Sequence, residues 1–503
     1  MNAKAALSGL LAAGLALAVS ELVAGVTGVT SLIVTVGDLV VDTAPPAVED
    51  FAIGTFGVYD KVALFVGMLV VAGVAGAVLG VAAARIFAIG VAGFLAFGLL
   101  AVLAALRDPQ TPVVPALAAA LVAAGAGIGG LAYLLRAAAP GLDPADTRAS
   151  RRAFLQGAAG VAALAAVAAA TGRFLVEQGR AIVRGREEVL LPQASEPAPA
   201  PPDEASLTVE GLDPLITPNE DFYRIDTALV VPRVDVEGWS LEVSGMVDQP
   251  YRLTFEELLA MPMVERYVTL ACVSNEVGGH LVDNALWLGV PLRDVLGRAG
   301  VQAGATQIVG RAVHGFTVGF PTEAAFDGRV ALVAVGMNGE PLPYAHGFPA
   351  RLVVSGLYGY VSATKWLEQI ELTTLEAFDA YWIPRGWAKQ APIKTQSRID
   401  VPGFGSSLRA GPQPIAGVAW APHRGIARVE VQVDEGPWQE ARLSRPLTED
   451  AWVQWVFEWQ AAAGEHVLRV RATDGTGQTQ TEQRVPTRPD GATGYHSISV
   501  EVG

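Results

Sequence analysis

The sequence predicts a chain in three parts: a bundle of five membrane-spanning helices, an α+β domain and an all-β sandwich. Three observations predict it. The 503 residues are 51% hydrophobic, but the apolar residues crowd into the first 176. A proline-rich stretch, Pro192-Gln-Ala-Ser-Glu-Pro-Ala-Pro-Ala-Pro-Pro202, divides that part from the rest. Beyond it, the hydrophobic pattern shortens into β-branched runs and then into strict alternation.

The helices come first. Val62–Ala84, Ile86–Leu106 and Val113–Leu135 hold no charged residue, and each reaches the ~20 residues that cross a bilayer as a helix. Ala5–Val26 adds a span with Glu21 near one end, and Ala153–Gly172 a fifth directly after Arg151-Arg152. The transmembrane region is therefore residues 1–176, with spans at 5–26, 62–84, 86–106, 113–135 and 153–172. Ser31–Val41 is interrupted by Asp38 and too short to span, which marks it as interfacial or re-entrant. Glu21, so near a helix end, reads as a snorkelling or interfacial carboxylate.

Lys4, Arg85, Arg136, Arg148, Arg151 and Arg152 fall on one side and Asp38, Asp42, Glu49 and Asp50 on the other. Positive residues favour the cytoplasm, so five spans place the C-terminal half on the extracytoplasmic side of a multi-pass cytoplasmic-membrane protein. Ser150-Arg-Arg-Ala-Phe-Leu-Gln156 resembles the twin-arginine export motif, the alternative being an ordinary pair of positive-inside arginines. No histidine or cysteine precedes Cys272, so the bundle lacks the usual ligands for haem or an iron–sulfur cluster and reads as an anchor. A net charge of −15 excludes nucleic-acid binding, which needs a basic surface.

Residues 177–207 read as an extended linker that stands the remainder off the membrane. Within 208–384, Thr254 with Glu257 forms a capping box ahead of a short helix, and Pro291–Leu296 starts another, between β-branched runs. Within 385–503, Ala427–Val433 and His466–Ala472 alternate strictly and end in turns at Asp434-Glu-Gly436 and Asp474-Gly475. Such strands, with turns about every ten residues, indicate a sandwich of immunoglobulin type. Trp438, Trp452, Trp455 and Trp459 suit its core and a dimer interface better than a ligand platform.

Cys272 is the one cysteine. It cannot form a disulfide within the chain, so either packing as a small hydrophobe or chemistry must explain it. It lies in Thr269-Leu-Ala-Cys-Val-Ser-Asn275, before Gly278-Gly279. Downstream come Asn338-Gly-Glu-Pro-Leu-Pro-Tyr-Ala-His346-Gly-Phe-Pro-Ala-Arg351, Gly356-Leu-Tyr-Gly359 and Ser362-Ala-Thr-Lys365-Trp366. In this order the motifs resemble the sulfite oxidase family of molybdopterin enzymes, from about Thr208 to the C-terminus.

The resemblance implies an α+β molybdopterin domain in which Cys272 ligates molybdenum while His346, Arg351 and Lys365 hold the pterin and its phosphate. A thiolate suits such a centre; Arg351 offers a planar fork and Lys365 a point charge. It also implies cofactor contacts from Asn275 and from Tyr223 and Arg224 in Asn219-Glu-Asp-Phe-Tyr-Arg224. Ser362, Ala363 or Thr364 makes the backbone and hydroxyl contacts beside Lys365, the choice left open because the segment after Gly359 is one residue longer than the family pattern. His314, in Val313-His-Gly-Phe-Thr317, is a cofactor contact and proton handler or else a turn-capping surface residue. Gly417-Val-Ala-Trp420, Gly425-Ile-Ala-Arg-Val-Glu-Val and Gly436-Pro-Trp438 are similar to the dimerisation domain of sulfite oxidases, which implies a homodimer.

One departure bears on substrate. Sulfite oxidases carry two arginines after the asparagine, where this chain has Glu276 and Val277, and a carboxylate there would repel a dianion. The expected activity is two-electron oxo transfer on a small molecule by a molybdenum–molybdopterin enzyme without haem or iron–sulfur clusters, served by a separate cytochrome or quinone-linked electron partner. The alternatives are an S-oxide (methionine sulfoxide) reductase on the same cofactor, a cysteine hydrolase using His314 or His346 as base, and a non-catalytic receptor with a degenerate molybdopterin fold.

Overall fold

The computed structural model describes residues 2–45, 48, 51–52, 55–56, 59–107, 111–139, 147–182 and 185–503. Glu49, Asp50 and the side chains of Arg148 and Ser150 lie outside them. The chain forms two compact units: Met1–Val183 with Ala228–Val231, and Arg184–Thr227 with Pro232–Gly503.

The first unit is helical: α1 (Asn2–Thr27), α2 (Leu32–Thr43), α3 (Asp60–Ala83), α4 (Phe87–Ala105), α5 (Val113–Ala138) and α6 (Thr147–Ile182). Five of these, all but α2, are long and apolar enough to cross a membrane. The twelve residues of α2 reach about 18 Å, well short of a ~30 Å hydrocarbon core. Ser31 caps α2 by accepting from the Ile33 amide, and its hydroxyl donates to Glu21, which gives that carboxylate a partner inside the unit. Val62, Val66, Leu69, Val70, Val74 and Val78 stay exposed on α3, the face that a lipid solvent would cover.

Small residues bring the helices together, as expected where lipid removes the hydrophobic drive for association. Gly76 and Gly80 of α3 face Gly9 of α1 so closely that a Cβ on Gly80 would collide with the Ala5 carbonyl, and one on Gly9 with the Gly76 carbonyl. Gly80→Leu is therefore expected to cost about 1–3 kcal/mol through overpacking. Gly67→Leu, where a Cβ meets nothing within 4 Å, should be near neutral; thermal unfolding in detergent compares them.

The second unit begins with ten strands: β1 (Ser240–Gly245), β2 (Tyr251–Thr254), β3 (Val264–Ala271), β4 (Val282–Pro291), β5 (Gln307–Ala312), β6 (Thr317–Pro321), β7 (Ala331–Met337), β8 (Glu340–Pro341), β9 (Arg351–Val354) and β10 (Leu367–Thr373). They form one sheet in the order β2-β1-β10-β5-β6 and another in the order β3-β4-β7-β8, with β9 also pairing with β7. β7 is buried along its whole length, hence its unbroken apolar run Ala-Leu-Val-Ala-Val-Gly-Met. The Thr254 capping box forms ahead of α7 (Phe255–Leu259), and α8 (Leu292–Ala299) ends at Gly300 with φ +70°, a conformation that suits glycine.

The proline-rich segment is not the free spacer expected of it. It runs along the outer edge of β3: Ser195 donates its amide to Met263, Glu265 donates its amide to Glu196, and Arg266 pairs with Glu196 at 2.5 Å. An edge strand exposes unpaired amides and carbonyls, and the extended segment satisfies part of that row. Ala205, at its end, is fully buried.

The C-terminal strands are β11 (Gln396–Val401), β12 (Ser407–Leu408), β13 (Gly411–Trp420), β14 (Ile426–Val433), β15 (Gln439–Glu440), β16 (Arg442–Leu443), β17 (Val453–Ala461), β18 (Gly464–Asp474) and β19 (His496–Val502). Two sheets, β11-β13-β17-β16 and β12-β19-β18-β14-β15, close on one core. Ile415 and Trp455 meet Val429, Leu468 and Ile498 there. Trp452 instead joins the larger core of the preceding strands.

Candidate active site

β3 ends at Ala271, and the next residue, Cys272, leaves the ladder at the mouth of a cavity of about 90 Å³. Its amide still donates to Leu281 at 2.9 Å, which fixes the turn. Four further segments converge on the same cavity: Phe222–Thr227, the β5–β6 turn with His314 and Phe316, the Tyr344–His346 turn with the start of β9, and α9 (Gly359–Ser362) with the residues after it.

The cavity holds two cations in different states. Arg351, the first residue of β9, is 5% exposed. Nη1 donates to the His346 carbonyl at 3.1 Å, Nε reaches the Leu352 carbonyl at 3.4 Å, and the guanidinium lies 4.9 Å from the centre of the Trp287 ring. Among the described residues no carboxylate pairs with it. Burial pushes its pKa down to about 10, so it remains charged at neutral pH. Lys365, by contrast, pairs with Asp226 at 2.8 Å and donates to the Ala345 carbonyl at 3.2 Å; burial pushes it down to about 8.

His346 is buried, its Nε2 is 3.0 Å from the Asn219 carbonyl, and its pKa is driven down to about 4, first by burial and then by Arg351 and Lys365. A ring nitrogen facing a carbonyl must carry the proton, which leaves Nδ1 as an acceptor. Burial raises the Cys272 thiol, offset in part by hydrogen bonds from Ser274, and raises the Tyr223 hydroxyl well above its usual value. His314 sets Nε2 3.3 Å from the Thr227 hydroxyl, with its ring between Phe316 and Trp366.

Tyr223, Cys272, His314, His346, Arg351 and Lys365 therefore share one cavity. Four sequence-selected residues do not line it. Asn275 turns its Oδ1 to the Leu281 amide at 2.8 Å. Ser362 donates to the Leu357 and Tyr358 carbonyls, within the turn of α9. Arg224 pairs with Asp226 from an exposed position. The Thr364 hydroxyl is buried with no partner among the described residues, although Ala363 and Lys365 on either side reach the cavity. Glu276 is exposed and outside the lining.

Sequence reasoning missed Asp226, which binds Lys365, and Asp283, which accepts from the Tyr223 amide at 2.6 Å and is raised to about 7 chiefly by burial. It also missed the aromatic wall of Tyr360, Trp366 and Trp382. The Asp-Phe-Tyr-Arg-Ile-Asp run ending at Asp226 was the available signal.

The donor set fits a molybdopterin. A buried guanidinium with no carboxylate partner among the described residues and a lysine suit a phosphate, and a thiol at the cavity suits a soft-tolerant metal. Gly347, at φ +110°, lets the His346 turn approach Lys365, since a Cβ there would lie 2.9 Å from the Lys365 Cα.

Comparison with known proteins agrees. Residues 228–382 match the oxidoreductase molybdopterin-binding domain. The mitochondrial sulfite oxidases of Homo sapiens and Macaca fascicularis are each 30% identical over 323 residues, 54% of this chain and 58% of theirs. The oxidoreductase YuiH of Bacillus subtilis is 37% identical over 176 residues, 34% of this chain and 85% of that protein. The chain belongs to the sulfite oxidase-like molybdopterin oxidoreductases. Among solved structures, the sulfane dehydrogenase SoxCD of Paracoccus pantotrophus superposes on this molybdopterin oxidoreductase with a TM-score of 0.51 at 25% identity, covering 58% of this chain and 82% of that one. The match spans less than two thirds of the mitochondrial enzymes' length. The cofactor of this family is molybdenum–molybdopterin.

Proposed function

We propose that this chain is a membrane-anchored molybdopterin oxidoreductase carrying out two-electron oxo transfer on a small molecule, with its second unit on the extracytoplasmic side. The observation that carries the reading is that the Cys272 thiol shares a cavity with a buried arginine that has no acidic partner among the described residues. Five lipid-compatible helices support anchoring, and the positive Lys4, Arg85 and Arg136 at their ends, a charge that favours the cytoplasm, support the sidedness.

Bound molybdenum–molybdopterin supplies the oxo-transfer and two-electron chemistry. Cys272 offers the sulfur ligand, and Arg351 with Lys365 holds the phosphate, Asp226 keeping the lysine extended toward it. The neutral Nδ1 of His346 supplies an acceptor to the pterin, and Thr364 is held between two residues that reach the cavity, Ala363 and Lys365. Tyr223 stays protonated and donates. Phe316, Tyr360 and Trp382 exclude water from the reacting face, and His314, hydrogen-bonded to Thr227, carries protons to or from the substrate. Arg224 and Asn275 act from behind the wall, the first through Asp226 and the second by closing the cysteine turn.

An S-oxide reductase on the same cofactor is the second reading, favoured by that aromatic wall and by the engagement of both cavity cations with the cofactor. With no histidine or cysteine before Cys272 to hold a haem or an iron–sulfur cluster, a separate cytochrome or quinone-linked partner completes the cycle. The two-sheet C-terminal sandwich, of immunoglobulin type, makes the chain a homodimer, and Ser150–Gln156 directs export.

Full-length protein purified in detergent from cells supplied with molybdate is expected to hold one molybdenum and one pterin per chain. It should turn over either sulfite or a dialkyl sulfoxide. Absence of both metal and pterin sinks the reading; metal without either turnover sinks the substrate class.

The pH dependence has a defined sign. The pKa of Lys365 falls from 10.5 to about 8 on folding, so its attraction for phosphate is complete below about pH 8 and lost above it. Pterin retention on gel filtration is expected to fall between about pH 7 and pH 9.5 in the parent and to be low and flat in Lys365→Gln.

A further inference from the structure

The loop after β3 is closed on itself. Asn275 donates its amide to the Cys272 carbonyl at 3.1 Å, and Leu281 donates its amide to Asn275 Oδ1 at 2.8 Å. Its outer side rests on the C-terminal sandwich. Arg398 of β11, with 1% of its side chain exposed, donates Nη1 to the Gly279 carbonyl at 2.9 Å. The guanidinium is fixed in turn by Asp400 at 2.5 Å and by Asp213. One residue earlier, Gly278 has φ +82°, and a Cβ there would strike the ring of His496 on β19. That ring is locked as well, since its Nδ1 accepts the Ile399 amide at 2.9 Å.

Buried charged donors to a carbonyl are among the stronger hydrogen bonds, and an arginine held by two carboxylates spends little entropy in making one. Cys272 stands at the end of the β3–β4 ladder, where this loop leaves and to which it returns at Leu281. We propose that Arg398 and His496 are positioning residues: the sandwich clamps the loop and thereby sets the direction in which the Cys272 sulfur enters the cavity. The inference rests on the reading of Cys272 as the metal's sulfur ligand, and it gives the sandwich a part in the active site separate from subunit pairing.

The test uses the full-length chain in two states. In protein made without molybdate, iodoacetamide reports exposure of the Cys272 thiol. Arg398→Lys, which keeps the charge but whose compact ammonium cannot span the three separated acceptors that the planar guanidinium reaches, and His496→Ala, which removes the wall behind Gly278, are each expected to speed alkylation about tenfold in protein whose melting curve shows it still folded. In molybdenum-loaded protein, the g-values of the Mo(V) electron paramagnetic resonance signal should shift in both. Folded variants with parental alkylation rates and parental g-values overturn the proposal. If Arg398→Lys does not fold, His496→Ala decides. If neither folds, hydrogen exchange in the parent decides: the Asn275 and Leu281 amides should be as protected as those of β11, and exchange at exposed-loop rates overturns the clamp. A clamped loop in protein that never takes up molybdenum would refute the ligand reading alone.

Discussion

Cys272→Ser is expected to lower turnover by roughly a thousandfold or more while the pterin stays bound. The substitution exchanges a polarisable thiolate donor for a hard hydroxyl of higher pKa at the one position where the chain presents a sulfur to the cavity. Arg351, Lys365 and His346 are untouched, so pterin released by denaturation should match the parent. The cost in stability should be small, about 1 kcal/mol for a buried hydroxyl with few partners. Parental turnover in the serine variant would remove sulfur ligation from the mechanism.

The second large effect has opposite signs in two states of the protein. Arg351 is buried without a carboxylate among the described residues, and an uncompensated buried charge costs several kcal/mol. In cofactor-free protein, Arg351→Met should therefore leave the melting temperature unchanged or raise it. In cofactor-supplied cells the same variant should lose pterin by about thirtyfold or more, matching the roughly 2 kcal/mol or larger cost of removing one member of a buried charge pair. Lys365→Met should behave differently: it removes the buried cation paired with Asp226, whose side chain is 3% exposed, and lowers both pterin content and the stability of the cofactor-free chain. Melting curves and pterin fluorescence separate the cases. Normal pterin content in Arg351→Met would place the phosphate elsewhere.

The helices were legible because crossing a bilayer demands long uncharged runs, a constraint written locally. Cys272, His346, Arg351 and Lys365 were legible because their motifs occur together and in order. The rest of the cavity was not, for a physical reason. Asp226, Trp366 and Trp382 gain meaning only when three distant segments meet; Asp226 and Trp366 at least adjoin recognisable motifs, whereas nothing in the immediate sequence of Trp382 marks that meeting. Asn275 and Ser362 were drawn toward the cofactor by proximity in sequence, but each side chain is taken up by backbone groups that its own turn leaves unpaired. The proline-rich segment reads as a spacer by composition, yet its few amides and its one glutamate are placed to pair with β3. Composition describes the isolated segment; the open edge beside it decides the outcome.

That stitched segment also determines how the catalytic half bears mechanical load. It follows Arg186, whose own bonds to Tyr344 and Pro341 are, among the described residues, the first that the chain makes on entering the second unit. Since Glu196 runs parallel to Val264, tension drawn along the segment loads its hydrogen bonds to β3 together, in shear, instead of peeling them one after another. The strand that leads into Cys272 is thereby shielded from tension along the chain.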